Sequence, residues 1–108
     1  MKTLDDKVVV ITGAGSGIGR ALSLDLARRG AQLALSDVDE AGLAETVAQV
    51  QRAGVRTVRS DRLDVADRAA VQRYALDVVE HSGRVNVVIN NAGVALAGDL
   101  EDLSLIHI

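Results

Sequence analysis

Two rhythms of apolar positions alternate along this chain of 108 residues. Short β-branched runs are separated by stretches in which apolar residues recur every three or four positions. Val8 to Thr12 is a continuous run of the kind buried on both faces of a parallel sheet. Ile18, Leu22 and Leu26 then share one helical stripe, with Ala21 beside them for close approach, and Gly30 after Arg28-Arg29 predicts the helix end. Gln32 to Ser36 predicts a second strand that ends at Asp37. Asp39 predicts the N-cap of a second helix with the stripe Leu43, Val47 and Val50, closed by Gly54. Between Val55 and Leu63 the pattern is weaker, and its Arg56, Arg59, Asp61 and Arg62 suit a sheet edge. Asp67 predicts the cap of a third helix carrying Val71, Tyr74, Ala75 and Val78 and ending at Ser82-Gly83. A fourth strand follows from Val85 to Ile89.

Strand and helix thus alternate as β-α-β-α-β-α-β, which implies an α/β fold with a parallel sheet and right-handed crossovers. In the doubly wound arrangement the strand order is 3-2-1-4, and a ligand sits beside the carboxyl end of strand one. That end carries the most unusual stretch of the chain, Thr12-Gly13-Ala14-Gly15-Ser16-Gly17-Ile18-Gly19. Glycines permit a tight turn and a close approach of bare backbone, and the N–H groups of the next helix face an anion.

The spacing decides which glycine motif this is. A plain G-x-G-x-x-G fails, because its third glycine would fall on Ile18 or Arg20. A phosphate-binding P-loop fails as well, since no Gly-Lys-Ser/Thr occurs and the lysines are Lys2 and Lys7. Ser16 stands where a sugar-nucleotide epimerase pattern needs glycine. Thr-Gly-x-x-x-Gly-x-Gly does fit, on Thr12, Gly13, Gly17 and Gly19. With Asp37, Leu63-Asp64-Val65 and Asn90-Asn91-Ala92-Gly93 in the same order, the chain resembles the short-chain dehydrogenase/reductase family over residues 7–98.

The resemblance implies the N-terminal half of a Rossmann-like dinucleotide-binding domain. It implies an NAD(P)-dependent oxidoreductase that interconverts alcohols and carbonyls by hydride transfer, and a homo-oligomer in full-length form. Gly13, Gly17 and Gly19 would shape the turn, while Ser16 and Ile18 would offer donors to the phosphates. Asp37 would accept from the adenosine ribose, Asp64 and Val65 would flank the adenine, and Asn91, Ala92 and Gly93 would pass beside the nicotinamide ribose. A 2′-phosphate would meet the Asp37 carboxylate, and the positions where relatives place a basic residue hold Ser16 and Val38, so NAD(H) is favoured over NADP(H). Plainer readings stand beside these. Asp37 could be a solvated acid, Asp64 a partner of Asp67 in capping, Asn90-Asn91 simple turn chemistry, His81 a solvated helix-end residue, and Tyr74 part of the core.

Composition narrows the alternatives. The net charge of −3 gives no reason to expect nucleic acid or an anionic membrane, and the lack of cysteine removes thiolate chemistry. No metal site is expected. The polar start of the chain and the short apolar runs point to a cytoplasmic protein. Tyr74 is the single aromatic residue, a scarcity that suggests a fragment.

The family's chemistry uses a serine and a Tyr-x-x-x-Lys pair, but four residues after Tyr74 stands Val78. No catalytic residue is therefore assigned, and the chain by itself is expected to be inactive. Read literally, it would be a non-catalytic dinucleotide-binding module. Residues 1–102 read as part of the domain. Leu103-Ser104-Leu105-Ile106-His107-Ile108 resembles a translated library adaptor and is expected to be non-native, the alternative being a genuine short apolar tail. Without the fifth strand that the complete family fold would add, Val85 to Ile89 is expected to form an exposed apolar edge.

Overall fold

The computed structural model describes residues 4, 5, 7–54 and 58–91, together with the backbone of 105–107. Strands β1 (Val8–Thr12), β2 (Gln32–Asp37), β3 (Val58–Arg62), β4 (Val87–Asn90) and β5 (Leu105–His107) form one parallel sheet in the order β3-β2-β1-β4-β5. Helices α1 (Gly17–Arg28), α2 (Glu40–Arg52) and α3 (Arg68–Ser82) connect the first four strands. The doubly wound order 3-2-1-4 expected from the alternation is the one observed.

Every residue of β1 is buried, because the strand is covered on both sides. Val9 and Ile11 face a cluster with Leu33, Leu35, Leu43 and Val50, on the side of α1 and α2. Val8 and Val10 face Val71, Tyr74 and Val78 of α3. Side chains also fasten β1 to β4 near both ends. Asn86 Oδ1 accepts from the Val8 N–H at 2.8 Å, and the Thr12 hydroxyl donates to Asn90 Oδ1 at 3.0 Å. Helix starts follow the expected caps. Asp39 accepts from the Gly42 N–H and Asp67 from the Ala70 N–H, each at 3.0 Å.

Three expectations change. The stripe of α1 is shifted by one residue: Gly19, Ser23 and Ala27 are buried, Leu22 and Leu26 flank them, and Ile18 and Ala21 are exposed. A helix lying close to a sheet places its smallest residues at the contact, and larger ones fit only at its sides. The edge strand β3 spans Val58–Arg62 and ends one residue before Leu63, the expected residues 55–57 lying outside the described part, and β4 begins two residues later than the apolar run. Finally, β4 is not an open edge, because Leu105–His107 pairs alongside it from Val88↔Leu105 to Asn90↔His107. Unpaired edge N–H and C=O groups are a template for any strand-forming segment that reaches them.

Candidate functional site

A cleft of about 540 Å³ opens at the carboxyl ends of β1, β2 and β4, lined by Gly13, Ser16, Gly17, Ile18, Asp37, Val38, Leu63, Asp64, Val65 and Asn91. The glycine loop forms one wall. Gly13 and Gly17 hold positive φ angles of 67° and 54°, which bend the chain from β1 into α1. Gly19 lies behind the wall. A Cβ there would overlap the Gly13 carbonyl oxygen and approach Asn91 Nδ2 to 2.7 Å, so only glycine lets α1 meet the loop this closely.

Asp37 joins this wall to the end of β2. Its Oδ2 accepts from the Gly15 N–H at 2.7 Å and its Oδ1 from the Asp39 N–H at 3.0 Å. A carboxylate offers about four acceptor sites, so two remain for other donors. The Asp37 carbonyl also accepts from the Leu63 N–H at 3.2 Å, which ties the end of β3 to the same corner. Leu63 and Val65 are buried and give the cleft an apolar side, while the exposed Asp64 accepts from the Ala66 N–H at 2.9 Å. Asn91 closes the other end, its amide donating to the Gly13 carbonyl at 3.1 Å.

The sequence-predicted residues Gly13, Ser16, Gly17, Ile18, Asp37, Asp64, Val65 and Asn91 are thus brought together in one cleft, and Gly19 supports it from behind. Ala92 and Gly93 lie outside the described residues. Val38, noted for its bearing on the 2′-phosphate, and Leu63, the first residue of Leu63-Asp64-Val65, line the cleft as well, although neither was assigned a contact of its own. Arg20 and Thr46, hydrogen-bonded to the back of the loop, were also missed. Tyr74 takes no part. It is buried against α3's side of the sheet, and burial first, then the Asp61 charge, pushes its pKa above the ordinary value, eased by Arg59 and Ser36. Among the described residues no group of three His, Cys, Asp or Glu side chains is placed to hold a metal ion, and no helix is long and apolar enough to cross a membrane.

Residues 7–107 match the family model described as short chain dehydrogenase. The chain belongs to this family. It is 56% identical over 101 residues to SadH of Mycobacterium tuberculosis, a protein provisionally named as an oxidoreductase, covering 94% of this chain and 36% of that protein. It is 42% identical to the D-threitol dehydrogenase of Mycolicibacterium smegmatis, covering 94% of this chain and 39% of that one. The fold superimposes on the crystal structure of NAD+-bound xylitol dehydrogenase with a TM-score of 0.81 at 38% identity, over 86% of this chain and 35% of that chain. This short-chain dehydrogenase sequence therefore spans between about a third and two-fifths of the relatives it matches.

Proposed function

We propose that the cleft holds a nicotinamide dinucleotide, with NAD(H) preferred over NADP(H), for an oxidoreductase that interconverts an alcohol and a carbonyl compound. The observation that carries this reading is the convergence of the glycine loop and Asp37 at one corner, joined by the Gly15–Asp37 hydrogen bond of 2.7 Å. Backbone N–H groups of the loop and the start of α1 suit a pyrophosphate. The remaining lone pairs of Asp37 suit two ribose hydroxyls, and a phosphate on one of those hydroxyls would set two anions against each other. Leu63, Val65 and the exposed Val38 and Ile18 suit the flat apolar faces of the adenine. Asn91 would stand at the nicotinamide end with Ala92 and Gly93. When bound, the nicotinamide ring supplies the hydride acceptor or donor.

The names of the relatives, dehydrogenases of threitol and xylitol, support an alcohol as the reduced substrate. In the full-length protein we place this activity in the cytoplasm and in a homo-oligomer, with residues 1–102 forming the start of the dinucleotide-binding domain. The second reading is a dinucleotide-binding module without catalysis. It rests on Tyr74, the single tyrosine, being buried outside the cleft with Val78 rather than lysine one turn further on. Calorimetric titration with NAD and NADP tests the shared part of both readings. We expect NAD to bind at least about tenfold more tightly, and equal affinities or tighter NADP would overturn the preference. Alcohol-dependent reduction of NAD by the full-length protein separates enzyme from module.

A further inference from the structure

Thr46 sits in the middle of α2, yet it is fully buried. Its hydroxyl donates to the Ala14 carbonyl at 2.7 Å and accepts from Arg20 Nε at 2.9 Å. A hydroxyl has one hydrogen, so the longer 3.2 Å approach to the Gly42 carbonyl is secondary. Arg20, in the first turn of α1, turns away from the cleft. Its Nη2 donates to the Gly15 carbonyl at 2.7 Å and to the Gly42 carbonyl at 3.0 Å. Close backbone contact reinforces the link, since a Cβ on Gly42 would come within 2.5 Å of the Gly15 carbonyl oxygen. Two consecutive carbonyls of the glycine loop are therefore captured from behind by side chains of two helices.

Peptide planarity gives this capture a consequence at the front. In a trans peptide the C=O and the following N–H point in opposite directions. Drawing the Ala14 carbonyl toward Thr46 aims the Gly15 N–H the other way, where Asp37 Oδ2 receives it at 2.7 Å. Drawing the Gly15 carbonyl toward Arg20 likewise aims the Ser16 N–H away from Arg20, on the side where Ser16 lines the cleft. We propose that Arg20 and Thr46 are positioning residues that set the direction of two N–H groups, that of Gly15, which braces Asp37, and that of Ser16, and so pre-form the ribose and phosphate sides of the cleft. Arg20 is thereby assigned to the loop's carbonyls rather than to the phosphates, although a cation in the first turn of this helix invites the second assignment. The inference rests on the dinucleotide reading of the cleft for its ligand, but not for its geometry.

Amide hydrogen exchange and NAD titration on Thr46→Val, Thr46→Ser and Arg20→Lys test it. Thr46→Val keeps the shape and removes the hydroxyl. It is expected to speed exchange at the Gly15 amide about tenfold, to leave the Val10 and Leu35 amides of the central strands within about twofold, and to weaken NAD binding about fivefold. Thr46→Ser is expected to restore both. Arg20→Lys should reproduce part of the loss, because an ammonium cannot serve three acceptors in one plane. A role in stability alone would raise exchange at Gly15, Val10 and Leu35 together, or lower the melting temperature without changing NAD affinity; either result overturns the proposal. If the unaltered protein does not bind NAD, the cofactor reading of the cleft falls, and the exchange ratio between Gly15 and Val10 still decides the clamp.

Discussion

The Gly15 N–H donates to Asp37 Oδ2 at 2.7 Å, linking the loop after β1 to the residue that ends β2. The same carboxylate accepts from the Asp39 N–H at 3.0 Å. Asp37 is therefore both a wall of the cleft and the strut that holds the neighbouring wall in place.

Replacing Asp37 by alanine acts on both roles. The substitution removes the charge that opposes a 2′-phosphate and leaves the Gly15 and Asp39 N–H groups without their acceptor. NAD affinity is expected to fall about tenfold while NADP affinity changes by less, narrowing the ratio between them. Calorimetry with both cofactors measures the ratio. Equal losses for the two would show that Asp37 shapes the loop without discriminating.

Gly17 and Gly19 are expected to respond differently to alanine. At Gly17 no atom of the described residues, its own turn and chain neighbours aside, lies within 4 Å of a new Cβ, and the cost is that of the left-handed backbone, about 1 kcal/mol. At Gly19 the Cβ would run into the Gly13 carbonyl and the amide of Asn91, which are backbone and a hydrogen-bonded group rather than a free side-chain end. The loss there is expected to be about 3 kcal/mol, at the upper end for overpacking. Urea unfolding of the two variants provides the comparison, and a Gly17→Ala loss as large as that of Gly19→Ala would contradict it.

Tyr74 predicts an alkaline effect. Among the described residues its buried hydroxyl has no hydrogen-bond partner, and the Ser36 hydroxyl only eases its ionisation. The folded-state pKa is raised above the unfolded value of about 10. The unfolded chain therefore loses this proton first, so the residue's contribution is complete below about pH 10 and declines as pH rises toward the folded pKa. Because the chain has one tyrosine, absorbance at high pH reports this group alone. Tyr74→Phe is expected to remove that part of the decline and to leave neutral-pH stability unchanged or higher by about 1 kcal/mol. A tyrosinate signal appearing near pH 10 in the folded protein would count against it.

Much of the sheet and of the cleft was legible in the sequence, and the exceptions share a cause. Strand order, the caps at Asp39 and Asp67, and the gathering of Gly13, Gly17 and Asp37 follow from motifs whose residue types have few other uses. Hydrophobic periodicity located α1 but placed its stripe on Ile18, Leu22 and Leu26, because it weights large apolar residues. The contact itself is made by Gly19, Ser23 and Ala27. Thr46 was hidden for the same reason, since a hydroxyl amid Leu43, Val47 and Val50 reads as the polar flank of the helix. The pairing of Leu105–His107 with β4, from Val88↔Leu105 onward, was missed because these residues were set apart as a tail rather than weighed as a strand.

The strand at the far side of the sheet has one more consequence. On β3, Arg59 and Asp61 form a salt bridge of 2.6 Å, and the Arg59 guanidinium lies 5.7 Å from the centre of the Tyr74 ring. Asp61 raises the pKa of Arg59 further by accepting its hydrogen bond, so this charge persists at any accessible pH. An incoming backbone at that edge would have to pass a row of fixed charges, ending in the exposed Arg62. The two margins of the sheet thus differ in kind: β5 pairs beside β4, whereas charge guards the backbone of β3.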